Sequence, residues 1–197
     1  MACTALTRGR TLNCNRISGG IKAVYFAVLD QVLSFTYDTT AAPNGVREIT
    51  NIDMGTDELY KYALPIGTSS LTDTIVGSRE NGTVYYTPTL SIVYNKLSKE
   101  DQNEIKLMSA TKTVAFAELN QQLANGHNVI VAMGMVNGME LNAGTMDSGA
   151  AWGDRNGYTC TFDGMEAEPF AMMVDYTLTP FDNADAGAQI PINSTGL

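Results

Sequence analysis

The chain has little of what most enzyme sites are built from. Among its 197 residues there are one histidine, one tryptophan and three cysteines. The usual zinc sites need several histidine or cysteine ligands at short spacing, and the sequence has no such group. A Ser-His-Asp triad would need His127 as its base, yet no GxSxG turn accompanies it, and there is neither a P-loop nor a GxGxxG that opens a helix. The sequence therefore predicts no enzyme and no cofactor, with His127 as a solvated residue of the turn NGHN.

Charge is also scarce, and it is unevenly placed. Charged residues make up 17% of the chain, against about 25% in an average soluble domain. A low charge is typical of a protein that buries outer surface against copies of itself, although serine, threonine and asparagine can also solvate a surface. Residues 1–37 hold four basic residues and one acid, whereas 136–197 hold nine acids and one base. We expect Arg8, Arg10 and Arg16 to meet an acidic surface on a neighbour, and we expect no binding to a nucleic-acid backbone, which needs lysine and arginine clusters.

Cysteine spacing and apolar runs bear on the compartment. Cys3, Cys14 and Cys160 form no CxxC pair, and an odd number of cysteines favours free thiols in a reducing compartment. The first 20 residues have no continuous apolar core, so they do not resemble a signal peptide. The runs AVYFAVL and VIVAMGMV are too short to span a bilayer, so we expect no membrane anchor.

Alternating and β-branched segments predict a mainly β fold. In NGYTCTFDG, residues 156–164, the side chains of Tyr158, Cys160 and Phe162 fall on one side of a strand, and threonines fall on the other. The polar stretch 67–83 predicts a loop or an extended hairpin, and the glycine-rich run 144–153 predicts a loop. Further strands are predicted over 21–29, 32–37, 46–52, 58–66, 84–94, 113–119, 129–136 and 170–179.

One segment, 97–112, is helical in pattern. Ser98 is a suitable N-cap, Glu100 and Asp101 follow in the first turn, and Ile105 and Met108 give one apolar stripe. About ten strands and this helix, at about 98–110, predict one domain: an antiparallel β-sandwich or barrel with a flanking helix.

Both ends of the chain are polar. Residues 1–20 and 180–197 lack apolar periodicity, which predicts terminal arms that are mobile in a free subunit and become ordered on assembly. Glu166 and Glu168, two residues apart, have the spacing of a possible glycosidase pair. Acidic β-proteins produce such pairs by chance, and Pro169 favours the end of a strand, so we predict no catalytic role.

Two stretches resemble tail tube proteins of long-tailed bacteriophages. The longer one is VIVAMGMVNGMELNAGTMDSGAAWGDRNGYTCTFDGMEAEPF, in which a strand runs through an Asn-Gly turn and a glycine-rich loop into a strand pair. The N-terminal CTALTRGRTLNCNRISGGIKAVYFA is similar to the start of some phage virion proteins. Together they cover about 65 residues, and the middle of the chain, from about 38 to 96, carries only a strand pattern.

The resemblance implies a virion structural protein, made in the bacterial cytoplasm, whose subunits form hexameric rings stacked into a hollow tail tube. One sheet of each subunit would line the channel, and loops or arms would bridge the rings. Its partners would be copies of itself and other tail proteins: a baseplate or tip, a terminator and, in contractile tails, a sheath. Phage DNA would pass through without specific binding. An acidic wall would repel the DNA backbone, and the candidate acids are Glu140, Asp147, Asp154, Asp163, Glu166, Glu168 and Asp175.

Other classes remain open on the sequence. A tail-completion, terminator or head decoration protein would have a similar composition but would form closed rings or plates. A carbohydrate- or receptor-binding sandwich would show clustered exposed aromatic residues, whereas Trp152 is the lone tryptophan and the tyrosines mostly alternate within strands.

Overall fold

The fold is mainly β with one α-helix, as the sequence predicts. The computed structural model describes Arg10 and residues 17–38, 47–185 and 189–195. The elements are β1 (Ile21–Val28), β2 (Ser34–Tyr37), β3 (Glu48–Asp53), β4 (Leu59–Ala63), β5 (Ser70–Ser78), β6 (Thr83–Asn95), α1 (Lys99–Met108), β7 (Thr113–Gln122), β8 (Asn128–Met133), β9 (Met139–Asp147), β10 (Gly157–Gly164), β11 (Ala171–Met173) and β12 (Ile192–Asn193), with a 3₁₀ turn at Leu29–Gln31.

The strands form two layers that share hydrogen bonds at one point. The first layer has the order β12-β4-β1-β7-β8-β11-β3-β2, and the second has the order β9-β10-β6-β5. The layers join where Thr113 of β7 pairs with Met139 of β9. We call the first layer the covered sheet and the second the open sheet.

The central strands of the covered sheet are buried on both faces. In β1, Tyr25 contributes to one apolar cluster, whereas Val24 and Phe26 contribute to a second cluster on the other face. The same alternation holds in β7 and β8, so these strands read as continuous apolar runs. The second cluster fills the space between the two sheets, where the rings of Phe26 and Phe162 have their centroids 4.9 Å apart.

The open sheet has one buried face. Along β10, the side chains of Tyr158, Cys160 and Phe162 are buried, whereas Thr159 and Thr161 between them are only half-buried. This confirms the alternation expected of NGYTCTFDG, with Cys160 as a small core residue. Burial raises the pKa of the Cys160 thiol to about 11, which leaves it protonated near neutral pH.

Helix α1 packs at the edge of the cluster between the sheets. Ser98 is its N-cap, since the Ser98 hydroxyl accepts a 3.0 Å hydrogen bond from the Asp101 N–H. Met108 is buried in the cluster and Ile105 packs against it, so the predicted apolar stripe is the one that faces the protein.

The C-terminal segment differs from the predicted arm over 180–197. Phe181, Ala184 and Ile190 are buried in the first cluster, where the Phe181 ring contacts the edges of the Tyr25 and Phe116 rings. Scattered apolar residues in a polar stretch suffice here because all three join the cluster on one face of the covered sheet. We call residues 176–185 and 189–191 the C-terminal cover. Residues 1–9 and 11–16, with Arg8 and Arg16, lie outside the described residues, and Arg10 is exposed.

Three local expectations need correction, and one open alternative is decided. The strand predicted over 170–179 ends at Met173, because the cover turns away there. The glycine-rich run 144–153 is a strand as far as Asp147, since it pairs with β10. Segment 67–83 takes the hairpin alternative. The sheet is mixed, since β11 pairs with β3 and β12 pairs with β4 in parallel.

Candidate functional site: the edges and outer face of the open sheet

Within the described residues, the open sheet ends in two strands whose outer edges are unpaired. β5 pairs with β6 on one side only, and beyond Met139 β9 pairs only with β10 among the described residues. Both strands are nine residues long. Such edges present rows of N–H and C=O groups that another strand can use.

The pairing pattern shows which backbone groups point outward. Tyr86 and Glu166 exchange hydrogen bonds of 2.8 and 2.9 Å, which fixes the alternation of bonded sides along β6. The registers extend this alternation to the neighbouring strands. In β5, the backbone N–H and C=O groups of Ile75 and of the other odd-numbered residues point away from β6. In β9, those of Gly144 and Met146 point away from β10.

The outer face of the open sheet is rich in hydroxyl groups. Residues that pair across antiparallel strands point to the same side, so each row runs across the whole layer. One row is Ala143, Thr161, Ser91 and Ser70, and the next is Glu140, Asp163, Thr89 and Thr72. The rows contain threonine, serine and carboxylates, and two basic groups reach them: Arg155 donates to the Thr159 hydroxyl at 2.8 Å, and Lys112 lies 3.6 Å from Glu140.

Three of the seven candidate acids belong to this face. Glu140 and Asp163 are cross-strand partners, and Asp147 is the partner of Gly157 at the end of β9. The Asp163 carboxylate also accepts a 2.6 Å hydrogen bond from the Asn142 side chain.

The other four acids are dispersed. Glu166 is buried and accepts the N–H groups of Val136 and Asn137 at 3.2 and 2.9 Å, which fixes the turn between β8 and β9. Glu168 forms an ion pair with Arg47, so the two glutamates have different partners. Asp175 is exposed beside the C-terminal cover.

Asp154 shapes the loop between β9 and β10. Its carboxylate accepts the N–H groups of Ala151 and Ala150 at 2.7 and 3.0 Å, and these bonds lower its pKa. The charge therefore organises a local turn.

A polar cluster that sequence reasoning missed lies inside the covered sheet. Glu118, 2% exposed, accepts hydrogen bonds from Lys22 Nζ at 2.7 Å and from the Tyr25 hydroxyl at 2.8 Å. Burial, with the Glu118 charge, raises the pKa of Tyr25 well above its usual value. Lys22 is half-exposed, and its pKa is raised chiefly by the hydrogen bond to Glu118. In the sequence, the glutamate inside the apolar run TVAFAEL is the one sign of this buried polar cluster.

His127 contacts the C-terminal cover instead of being only solvated. Its ring packs on Tyr176 with centroids 4.7 Å apart, and Nε2 lies 2.8 Å from the Thr177 carbonyl oxygen. The contact ties the turn before β8 to the cover.

A groove of about 630 Å³ lies between α1 and β9, and a smaller one of about 190 Å³ adjoins Arg47 and Glu166. Within the described residues, no group of three or more histidine, cysteine or acidic side chains is arranged to hold a metal ion. Among the described residues, no helix is long and apolar enough to cross a membrane.

Comparison with known proteins found no match to a family model, a curated protein or a solved structure.

Proposed function

We propose that the chain is a structural subunit of a phage tail tube, which assembles head to tail into hexameric rings that stack into a conduit for DNA. The observation that carries the proposal is the open sheet, with two free edges of equal length and one polar face. The sequence resemblance to tail tube proteins supports the same reading and supplies the ring size.

The strand order favours a ring. The directions of β9, β10, β6 and β5 alternate, so the two edge strands run in opposite directions. When a rotated copy places its β5 beside β9, the new pair is therefore antiparallel, like the pairs inside the sheet. A contact between two different edges is heterologous, and it closes into a ring when the rotation closes. Closure also removes both free edges.

The polar face suits a channel wall. If the buried face of the open sheet points to the core, the hydroxyl rows and the acids Glu140, Asp147 and Asp163 face the opposite side. A wall with few basic groups makes few phosphate contacts, which would otherwise hold DNA through counterion release. The carboxylates add a short-range repulsion, screened over about 8 Å at physiological salt.

Electron microscopy tests the assembly. Purified, concentrated protein is expected to form hollow tubes, either alone or after addition of tail-tip proteins that act as a nucleus. Closed plates or rings without tubes would favour a terminator or decoration protein, and monomers under both conditions would overturn the proposal.

Labelling tests which face lines the channel. In tubes of a Thr161→Cys variant made in a Cys3→Ser, Cys14→Ser background, a bulky polymer-linked maleimide is expected to leave the introduced thiol unmodified, whereas the free subunit reacts. The matched control is Leu178→Cys on the C-terminal cover, where Leu178 is 84% exposed. In the proposed tube this residue is expected to lie on the exterior and to react. Equal labelling of both variants in tubes would place the hydroxyl face outside the channel.

A further inference from the structure

The groove between α1 and β9 borders the free edge of the open sheet. On the sheet side its lining includes the apolar side chains of Leu141, Met146 and Cys160, interspersed with polar residues such as Thr145 and Thr159. On the helix side it is lined by polar and basic residues, among them Lys99 and Lys106. A strand added to β9 would therefore run directly under the helix.

We propose that this groove receives strand β5 of a second copy of the chain, with the Ile75 side chain of that copy buried beneath α1. The inference rests on the head-to-tail assembly proposed above. It adds the pocket, the occupant and a role for the helix as one wall of the contact.

Strand length selects β5 as the occupant. The other edge strands of the described chain are β2, with four residues, and β12, with two. β5 has nine residues, the same as β9, and its outward backbone groups include those of Ile75.

Side-chain direction places Ile75 in the groove. Leu71 and Ile75 lie on the core-facing side of β5, and Leu71 is already packed against the cluster between the sheets. Ile75 lies four cross-strand pairs further along the hairpin and is 68% exposed. When β5 of a second copy extends the open sheet beyond β9, the side of β5 that carries Ile75 becomes continuous with the core-facing side of β9. Helix α1 overhangs that side.

Charge distinguishes β5 from the N-terminal segment. The helix wall of the groove carries two lysines, whereas Glu100 and Glu104 lie outside the lining. The strand SLTDTIVGS carries one acid and no base. Residues 1–16 carry three arginines and no acid, so they would bring like charge to Lys99 and Lys106.

Cross-linking between two variants tests the contact. In a Cys3→Ser, Cys14→Ser background, Ile75→Cys protein is mixed with Asn103→Cys protein and treated with a short bis-maleimide. Asn103 is an exposed residue of the helix wall. Cys160 is buried and protonated, so it does not compete. We expect a covalent heterodimer, and its loss when Glu104→Cys, on the other side of α1, replaces Asn103→Cys.

The outcomes separate this inference from the proposed function. Tubes without the Ile75–Asn103 cross-link would overturn the groove contact and leave the tail tube proposal intact. A cross-link from Asn103→Cys to Cys14, in protein that retains Cys14, would place the N-terminal segment in the groove and would also overturn it. Absence of both tubes and cross-links would overturn both.

Filling the groove is a second test that does not depend on cross-linking chemistry. An Asn103→Trp variant is expected to remain folded, because Asn103 is exposed, but to lose sedimenting assemblies as its indole occupies the site of Ile75. A Glu104→Trp variant keeps the groove free and is expected to assemble like the parent. Normal assembly of the Asn103→Trp variant would contradict the proposal.

Discussion

The two sheets of the sandwich differ in how much of their surface is buried. The covered sheet buries both faces of β1, β7 and β8, with the open sheet on one side and the C-terminal cover on the other. The open sheet buries one face and leaves the other, together with two edges, available for contacts. We infer that the covered sheet contributes to both apolar clusters and the open sheet to one, and the assembly proposed above would use the edges and outer face of the open sheet.

The deepest part of the covered sheet should show the largest effect on stability. Phe116 is fully buried and contacts Phe181 of the C-terminal cover, with ring centroids 5.3 Å apart. We expect Phe116→Ala to lower the free energy of unfolding by about 3–5 kcal/mol, measured by chemical denaturation. Thr161→Ala on the outer face of the open sheet is the control, with a change within about 0.5 kcal/mol. Equal effects would contradict the assignment of Phe116 to the core and of Thr161 to the outer face.

The buried polar cluster should come next. Glu118→Ala leaves the buried Tyr25 hydroxyl without its acceptor, while the half-exposed Lys22 can turn to solvent. We expect a loss of about 1–3 kcal/mol in the free energy of unfolding. Glu140→Ala, which breaks the exposed pair with Lys112, is expected to cost about 0–1 kcal/mol. A cost for Glu118→Ala no larger than for Glu140→Ala would show that the cluster is not stabilising.

The C-terminal cover should depend on pH through Asp182. Burial raises the pKa of this carboxyl, but hydrogen bonds from the N–H groups of Leu178, Thr177 and Thr179 and from the Thr177 hydroxyl outweigh it and bring the pKa to about 2. A lowered pKa in the folded state stabilises the fold above the ordinary value of 3.8, and that stability is lost as pH falls toward 2.

We expect Asp182→Ala to cost about 1 kcal/mol at neutral pH, as the loss of a comparable helix cap does. The difference from the parent should shrink between about pH 4 and pH 2, measured by denaturation at each pH. Asp175→Ala is the control. Asp175 is exposed, and its backbone carbonyl, which the substitution retains, accepts the 2.8 Å hydrogen bond from the Asn183 side chain. A difference that stays constant over this range would contradict the proposed role of the charge.

The open edge should show the smallest effect on stability and a large one on assembly. Ile75→Lys places a charge on the free side of β5, where it opposes the addition of a strand. We expect the free energy of unfolding to change by no more than about 0.5 kcal/mol and tubes to be lost in electron micrographs. Ile66→Lys makes the same change at a residue that is 94% exposed and lies outside the strand, and it should assemble normally. Assembly of the Ile75→Lys variant would show that this edge is not used.

Local sequence patterns determined much of the fold. The alternation in NGYTCTFDG and the apolar runs AVYFAV and VIVAM specified strands and their buried sides, because a pleated strand has a period of two. Ser98 and the acids that follow it specified the start of α1, because a cap satisfies N–H groups within its own turn. These features depend on neighbours in the chain, so the sequence could predict them.

Only the tertiary structure decided the features that join distant residues. The C-terminal cover became part of the core because Phe181 meets Tyr25 and Phe116, which lie far away in sequence. Glu118 and Lys22 are 96 residues apart, and neither has a local signal for the other. The free edges of β5 and β9 follow from the order of strands in the layer. That order is set by which apolar faces can be buried together, a property of the whole chain and of no single segment.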